Sequence, residues 1–300
     1  MVGDAVSSLA KFCTVETGVR ILSSQALRWS APHLFSDPFE LSHESKPDVS
    51  ADGLLDMLLR EALIMLFGPD EPAGRHNRFV NIMARWREQQ RFCDEEEAHG
   101  VLRDLLGQIA EIHAAKVDDY LQEWRRFTRT TRIACFSEKP NNVTCWQRFA
   151  DRHRGIALRF ECGEATGLAK PQRVSYQSIA PVVTSRQEQL EVIYGRRNAP
   201  TTDEFPGKLL VKGRQDHLEH EWRCFGNAPD ADADDPSHWF ELRKFPAHEL
   251  RAVYFGVLMA PADKEVVIKL MRANYPTAKI YQAALVPGRY EIEFHAYSQR

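Results

Sequence analysis

None of the compact signatures of nucleotide or hydrolytic chemistry occurs in these 300 residues. There is no G-x-G-x-x-G turn, no phosphate loop closing on Gly-Lys-Ser/Thr, no H-E-x-x-H helix and no G-x-S-x-G elbow. Each depends on a short fixed spacing, so its absence excludes the standard form of that chemistry. Cysteine is sparse: six residues, at 13, 93, 135, 145, 162 and 224, with no C-x-x-C pair. That pattern supplies neither a zinc clasp nor a disulfide framework and fits reduced, mostly buried thiols. The longest apolar stretch, about 252–262, is broken by Gly256 and Pro261 and is too short to span a bilayer. The first residues lack a basic start followed by an apolar core, so a cytoplasmic location away from membranes is expected. There is no basic excess either. The 39 Lys and Arg against 42 Asp and Glu argue against a general nucleic-acid binder and still allow a local basic groove. Repeats and low-complexity segments are also missing.

What is present is ordinary globular material, 43% hydrophobic and 27% charged. A chain this long buries roughly three quarters of its unfolded surface and needs no metal or disulfide to hold a core. Thr14 or Glu16 can open a first helix before a strand at Ala26–Ser30. Pro32 and Pro38 then impose extended geometry on a loop over 31–40. From about 52 to 128 the pattern is helical. Leu54, Leu55, Leu58, Leu59 and Leu63 make a first apolar face, 79–92 a second helix, and Leu102, Leu106, Ile109, Leu121 and Trp124 mark a long third. Strands are expected at 132–137, 155–161, 250–257, 279–285 and 290–294. Helices are expected at 144–153, 181–198 and 261–274, and a flexible loop at 226–237. The stretch 208–225 reads as a strand, or as a helix entering one. The expectation is a single α+β domain over residues 1–300, with a mixed, mainly antiparallel sheet and a helical insert or cap at about 52–128.

Three clusters can carry chemistry. The run His217-Leu-Glu-His-Glu-Trp-Arg223, as a strand, places Glu219, Glu221 and Arg223 on one face and His220 and Trp222 on the other. Two carboxylates beside one guanidinium form either a polar site or a self-neutralising ladder. As a helix, the same run sets His217 and Glu221 at metal-compatible i, i+4 spacing, with no third ligand following. In the second cluster, Ser36 to Glu40, Asp37 or Glu40 has the chemistry of an acid, a base or an acceptor for ribose hydroxyls. Asp37 can equally satisfy loop amides. In the third, Cys135-Phe-Ser137 precedes Trp146 and His153. Cys135 and His153 form either a nucleophile pair or two buried residues, and Trp146 either a stacking platform or a core anchor. Arg125, Arg126, Arg129 and Arg132 can meet phosphates or complement a helix C-terminus.

In this order the fragments resemble the bacterial domain-of-unknown-function 2971 family. Its Ser-Pro-x-x-Phe-Asn-Asp-Pro-Phe-Glu loop corresponds to Ser30 through Glu40, with Ser36 in place of Asn. Its Cys-Phe-Ser strand, Trp-bearing helix and His-x-Gly strand correspond to Cys135–Ser137, Trp146 and His153–Gly155. Its Glu-x-Glu-Trp-Arg segment corresponds to Glu219–Arg223. The resemblance spans nearly the whole chain.

The order of elements is also similar to the ADP-ribosyltransferase fold, which implies NAD as substrate and no metal. On that resemblance Glu221 is the catalytic glutamate, facing the charge that develops on ribose as nicotinamide leaves. Glu219 positions the acceptor, a protein or nucleic acid, and Arg223 clamps Asp37 or Glu40. Ser30, Asp37, Glu40, Ser137 and Trp146 face the cofactor. The first-strand His or Arg of that fold has no counterpart near residues 11–13, so Lys11 or Arg28 takes its role. The biological setting implied is a toxin or an anti-phage effector. Two other readings stand beside it: a non-catalytic interaction or sensor module using the helical insert, and a metal-assisted hydrolase or nuclease built on His217, Glu221 and Asp37. The transferase reading requires Ser30 and Glu221 to converge on one cavity with an aromatic wall.

Overall fold

The computed structural model describes residues 6–69, 78–229 and 235–298. In chain order the first elements are β1 (Ser8–Cys13), α1 (Val15–Ser24), β2 (Ala26–Ser30), α2 (Ala51–Phe67), α3 (Arg78–Glu88) and α4 (Glu95–Thr130). Next come β3 (Thr131–Ser137), α5 (Val143–Phe149), β4 (Ile156–Glu161), β5 (Gln172–Arg173), β6 (Ser175–Gln177), α6 (Arg186–Ile193) and α7 (Phe205–Lys208). The remainder is β7 (Val211–Gly213), β8 (Glu221–Asn227), β9 (Phe240–Lys244), β10 (Leu250–Phe255), α8 (Pro261–Asn274), β11 (Lys279–Leu285) and β12 (Ile292–Ala296). The class is α+β, with a mixed and mostly antiparallel sheet, as expected.

The chain divides into two compact units: Met1–Glu40 with Thr128–Ala180 and Leu210–Arg300, and Leu41–Phe127 with Pro181–Leu209. The sequence implies one domain with an insert near 52–128. The helical unit also takes 181–209, because Leu190 and Tyr194 are buried among Leu54, Leu58 and Leu102. The Tyr194 hydroxyl donates to the Leu58 carbonyl at 3.3 Å. In α2, Leu54, Leu58, Leu59, Ala62, Met65 and Leu66 are buried on one helical face. In α4 the first turn carries Glu95, Glu96 and Glu97, favourable against the helix dipole. Its Trp124 is buried against Phe205, and its indole N–H donates to the Ser42 carbonyl at 2.8 Å.

The other unit is built on a ten-stranded sheet in the order β12-β11-β10-β4-β1-β3-β2-β9, with β8 on β3 and β5 on β8. All pairings within this sheet are antiparallel except β10 with β11, which α8 connects, and β6 and β7 form a separate parallel pair. Strand alternation on β1 sends Leu9 and Cys13 to one face and Ala10 and Phe12 to the other. On the first face, α1 and α8 bury Leu22, Val267 and Met271 with Phe136, Phe160 and Phe255. On the second, α5 packs Trp146 and Ala150 against Phe12 and Tyr254. Before β4 the chain turns through three consecutive left-handed residues, Asp151, Arg152 and His153. Gly155 comes next but one, and a Cβ there would lie 2.2 Å from the Cys13 carbonyl oxygen, so this crossing needs glycine.

Strand β3 is the axis of the sheet's polar end. It pairs along its whole length with β8, from Thr131↔Asn227 to Ser137↔Glu221. On its other edge β1 pairs only at Ala10↔Ser137 and β2 only at Ser30↔Ile133, so the sheet opens between those two points. The strands β5, β6 and β9 had no clear sequence signal. The loop expected at 226–237 lies partly outside the described residues. Over 208–225 the second expectation, a helix entering a strand, holds in part: after β7 a 3₁₀ turn over Arg214–Glu219 leads into β8, with left-handed His220 as the hinge.

Candidate active site

Within the sheet unit a cavity of about 550 Å³ opens against β1, β3 and the start of β8. The loop after β2 supplies Phe35, Asp37, Phe39 and Glu40 to its wall. Strand β3 supplies Cys135 and Ser137, α5 supplies Arg148 and Phe149, and the β7–β8 segment supplies Lys212, Asp216, Glu219, Glu221 and Arg223. Because β3 and β8 are in register, Ser137 stands opposite Glu221 and Cys135 opposite Arg223, all on the same face.

The charged groups form an unbroken alternating chain. Glu40 Oε2 meets Arg223 Nη1 at 2.7 Å, and Arg223 Nε meets Glu221 Oε1 at 2.7 Å. Lys212 Nζ bridges Glu221 Oε2 at 3.2 Å and Glu219 Oε2 at 2.7 Å. Arg148 Nη1 bridges Glu219 Oε1 at 2.6 Å and Asp216 Oδ1 at 2.5 Å. Arg223 is almost wholly buried and also lies over the Phe35 ring, 5.0 Å from its centroid. Such a guanidinium fork suits two carboxylates at once. The turn before β8 is held by its own backbone. The Glu219 carbonyl accepts from Ser137 Oγ at 2.7 Å and from Asn142 Nδ2 at 3.1 Å. Asn142 in turn caps α5 by accepting from the Cys145 N–H.

This environment drives the carboxylates apart. Burial pushes Glu221 upward, but Arg223, Lys212 and the Cys135 thiol outweigh it and hold Glu221 at about 2. For Glu40 burial wins over Arg223, and its pKa lies above the ordinary 4.5. Burial and the Glu221 charge raise the Cys135 thiol, and burial raises Cys145 to about 12, so neither is poised as a thiolate.

Of the eight sequence-predicted site residues, Asp37, Glu40, Ser137, Glu219, Glu221 and Arg223 share this cavity. Two do not. Trp146 is fully buried, edge-on to Phe12 with ring centroids 5.3 Å apart, and its indole donates to the Pro140 carbonyl. It is a core anchor, because α5 needs a large apolar residue against β1. Ser30 pairs with Ile133 on the far stretch of β3 and with Phe240 of β9, and is not among the cavity residues. The convergence of Ser30 with Glu221 that the transferase reading requires is therefore not met, and Glu221 stands in the cavity without it. The Cys135–His153 pairing is also absent: Cys135 lines the cavity with Glu221, whereas the His153 ring stacks on Trp146.

His217 lines a different cavity from Glu221 and Asp37. Among the described residues no three His, Cys, Asp or Glu side chains gather as a metal ion would require. In the arginine run, Arg132 is buried and donates to the carbonyls of Arg129 and Thr131, closing the end of α4. Of the two residues considered for the missing first-strand cation, Lys11 lines the cavity and Arg28 does not.

The sequence reading missed Arg148, Lys212, Asp216 and the rings of Phe35, Phe39 and Phe149. Phe39 and Phe149 are 65% and 47% exposed at the cavity wall. Among the described residues no helix is long and apolar enough to cross a membrane. Compared with protein-family models, curated proteins and solved structures, the chain matches none.

Proposed function

We propose that this cavity binds NAD as a substrate and breaks the bond between nicotinamide and ribose, with Glu221 facing the reacting carbon. Assignment to the domain-of-unknown-function 2971 family and likeness to ADP-ribosyltransferases belong to the same proposal. The observation that carries it is the meeting of two acidic segments far apart in sequence. Asp37–Glu40 and Glu219–Arg223 face one aromatic-walled hollow and are joined through Arg223. Its volume falls within the range of small-molecule sites.

In the proposed step the C1′–N bond breaks and its electron pair leaves on the nicotinamide nitrogen. Positive charge spreads over the ribose ring, and an ionised, fixed Glu221 stabilises it. Arg223 and Lys212 orient that carboxylate without moving during the reaction. Water or an acceptor group then bonds to C1′ and loses a proton, with Glu219 aligning the acceptor. Asp37 and Glu40 accept hydrogen bonds from ribose hydroxyls. Phe35, Phe39 and Phe149 offer ring faces for the base. Lys11 serves the phosphates. Its ammonium donates to the Cys135 carbonyl at 3.0 Å, and it makes no ion pair among the described residues.

A second reading is favoured by one observation: every charge in the chain from Glu40 to Asp216 already has a partner. Such a network can brace the sheet with no reaction attached. Incubation with NAD labelled in its adenylate half separates the two. The wild type should release nicotinamide or transfer label, and Glu221→Gln should lower the rate about 100-fold or more. No turnover by the folded wild type, or equal turnover by the variant, dismisses the catalytic role and leaves the brace.

A further inference from the structure

The backbone of Glu219-His220-Glu221 separates two cavities. Glu219 and Glu221 line the acidic one already described. His220, turned outward by its left-handed conformation (φ 47°), lines another of about 440 Å³ with Arg173, Val174, Ser175, Tyr176 and His217. This second cavity has a different chemistry. It has two imidazoles, a guanidinium, a phenol and a hydroxyl, and no carboxylate lines it among the described residues.

Apart from Ser175, whose hydroxyl donates to the Leu210 carbonyl at 3.1 Å, its polar groups are less committed than those of the acidic cavity. His217 Nδ1 lies 2.9 Å from the Arg214 carbonyl oxygen, which can only accept. Nδ1 therefore carries the hydrogen, and Nε2 is the ring position left open. Tyr176 Oη accepts the Glu221 backbone N–H at 2.8 Å, which leaves its own hydrogen to donate. Arg173 is exposed and makes no ion pair among the described residues. Its position is fixed by the backbone, where Arg173 pairs with Trp222 across β5 and β8. Val174 N–H donates to the Glu221 carbonyl at 2.9 Å, tying the floor of this cavity to the first residue of β8.

From this placement we infer that the cavity is a second binding site, taking the phosphate group of a small phosphomonoester. An oxyanion suits a wall with an Arg fork, a free Tyr176 hydroxyl hydrogen and no opposing carboxylate, and the Arg fork matches phosphate geometry. The cavity, about 440 Å³ and open to solvent, has room for a phosphate and an attached small body. The site does not depend on what occupies the acidic cavity.

Calorimetric titration of the full chain with ribose 5-phosphate, ribose and inorganic phosphate tests this. Ribose 5-phosphate should bind saturably, one per chain, while ribose does not. Arg173→Gln alters an exposed side chain and should weaken binding about tenfold or more at unchanged thermal stability. His220→Asn keeps a residue tolerant of the left-handed region and should weaken binding several-fold. Lys11→Gln, in the acidic cavity, should leave it intact. Three results overturn the inference: no saturable binding, binding lost in Lys11→Gln but kept in Arg173→Gln, or inorganic phosphate binding as tightly as the ester.

Discussion

The two sides of β8 are built from alternate residues of one strand and obey opposite physics. On one side Trp222 and Cys224 join Leu9, Phe136 and Phe160 in the main core, where removal of apolar area from water is itself stabilising. On the other, Glu221 and Arg223 are just as deeply buried but lose their hydration shells, so each must be compensated in full by partners. That requirement explains why the charge chain runs on through Lys212, Glu219 and Arg148 until it reaches half-exposed groups. The apolar side tolerates approximate packing. The charged side does not tolerate the loss of Arg223, which holds two carboxylates at once.

The largest test of that contrast is Arg223→Gln. It strands Glu221 and Glu40 without their shared cation, and the loss of stability should be about 3–5 kcal/mol. The combined change Glu40→Leu, Glu221→Leu and Arg223→Met removes charge and partner together and should fall within about 2 kcal/mol of wild type. Urea unfolding midpoints at constant slope decide it. A shift under about 1 kcal/mol in Arg223→Gln would mean that water reaches the network and that the two sides do not differ as described.

Acid provides the next largest effect, because it acts on one side of the strand only. Glu221 has an ordinary carboxyl value of 4.5 when unfolded and about 2 when folded. Its ionised form is therefore favoured in the native state. The contribution, about 3 kcal/mol, is complete above the unfolded value and disappears as pH falls toward the folded one. Glu40, with its value raised, has the opposite sign: its ionisation opposes folding at neutral pH, and protonation relieves that. Unfolding free energies of wild type and Glu221→Gln, tracked from about pH 6 to about pH 3, should converge as acidity increases. Parallel curves would remove Glu221 as the group that titrates.

The sequence disclosed the alternation of β8, where Glu221 and Arg223 sit two apart with Trp222 between them, although Glu219 lies ahead of the strand in the 3₁₀ turn. It also disclosed the stiff Asp37–Glu40 loop, and with it the carboxylate that Arg223 holds. Arg148, Lys212 and Asp216 were not legible. Each is one charged residue in a segment of otherwise ordinary pattern, and only the packing of α5 and β7 beside β8 makes them partners. Trp146 was ambiguous for a related reason: an aromatic residue on an amphipathic helix reads the same whether it meets a ligand or β1. Ser30 lay on the strand where it was expected. The cavity is elsewhere because β2 touches β3 only at Ile133, away from the Ser137 end. Residue 220 hid the second cavity, since a strand reading of His217–Arg223 puts His220 with Trp222, whereas the left-handed turn separates them.

The smallest effect sharpens the contrast from outside the sheet. Arg20 and Glu16 on α1 form an i, i+4 pair at 2.5 Å, as short as any contact in the buried chain, with side chains 77% and 75% exposed. If short distance made the β8 network important, breaking this pair would matter comparably. If burial does, it would not, because water already solvates both ends and screens their attraction. Glu16→Gln should therefore shift stability by about 0.5 kcal/mol or less, and that small shift should shrink further in salt. Arg223→Gln, measured in the same salt series, should hold its full loss, since no counterion reaches a guanidinium that is 1% exposed. A comparable salt response in the two variants would place both pairs in the same dielectric and dissolve the distinction between the faces of β8.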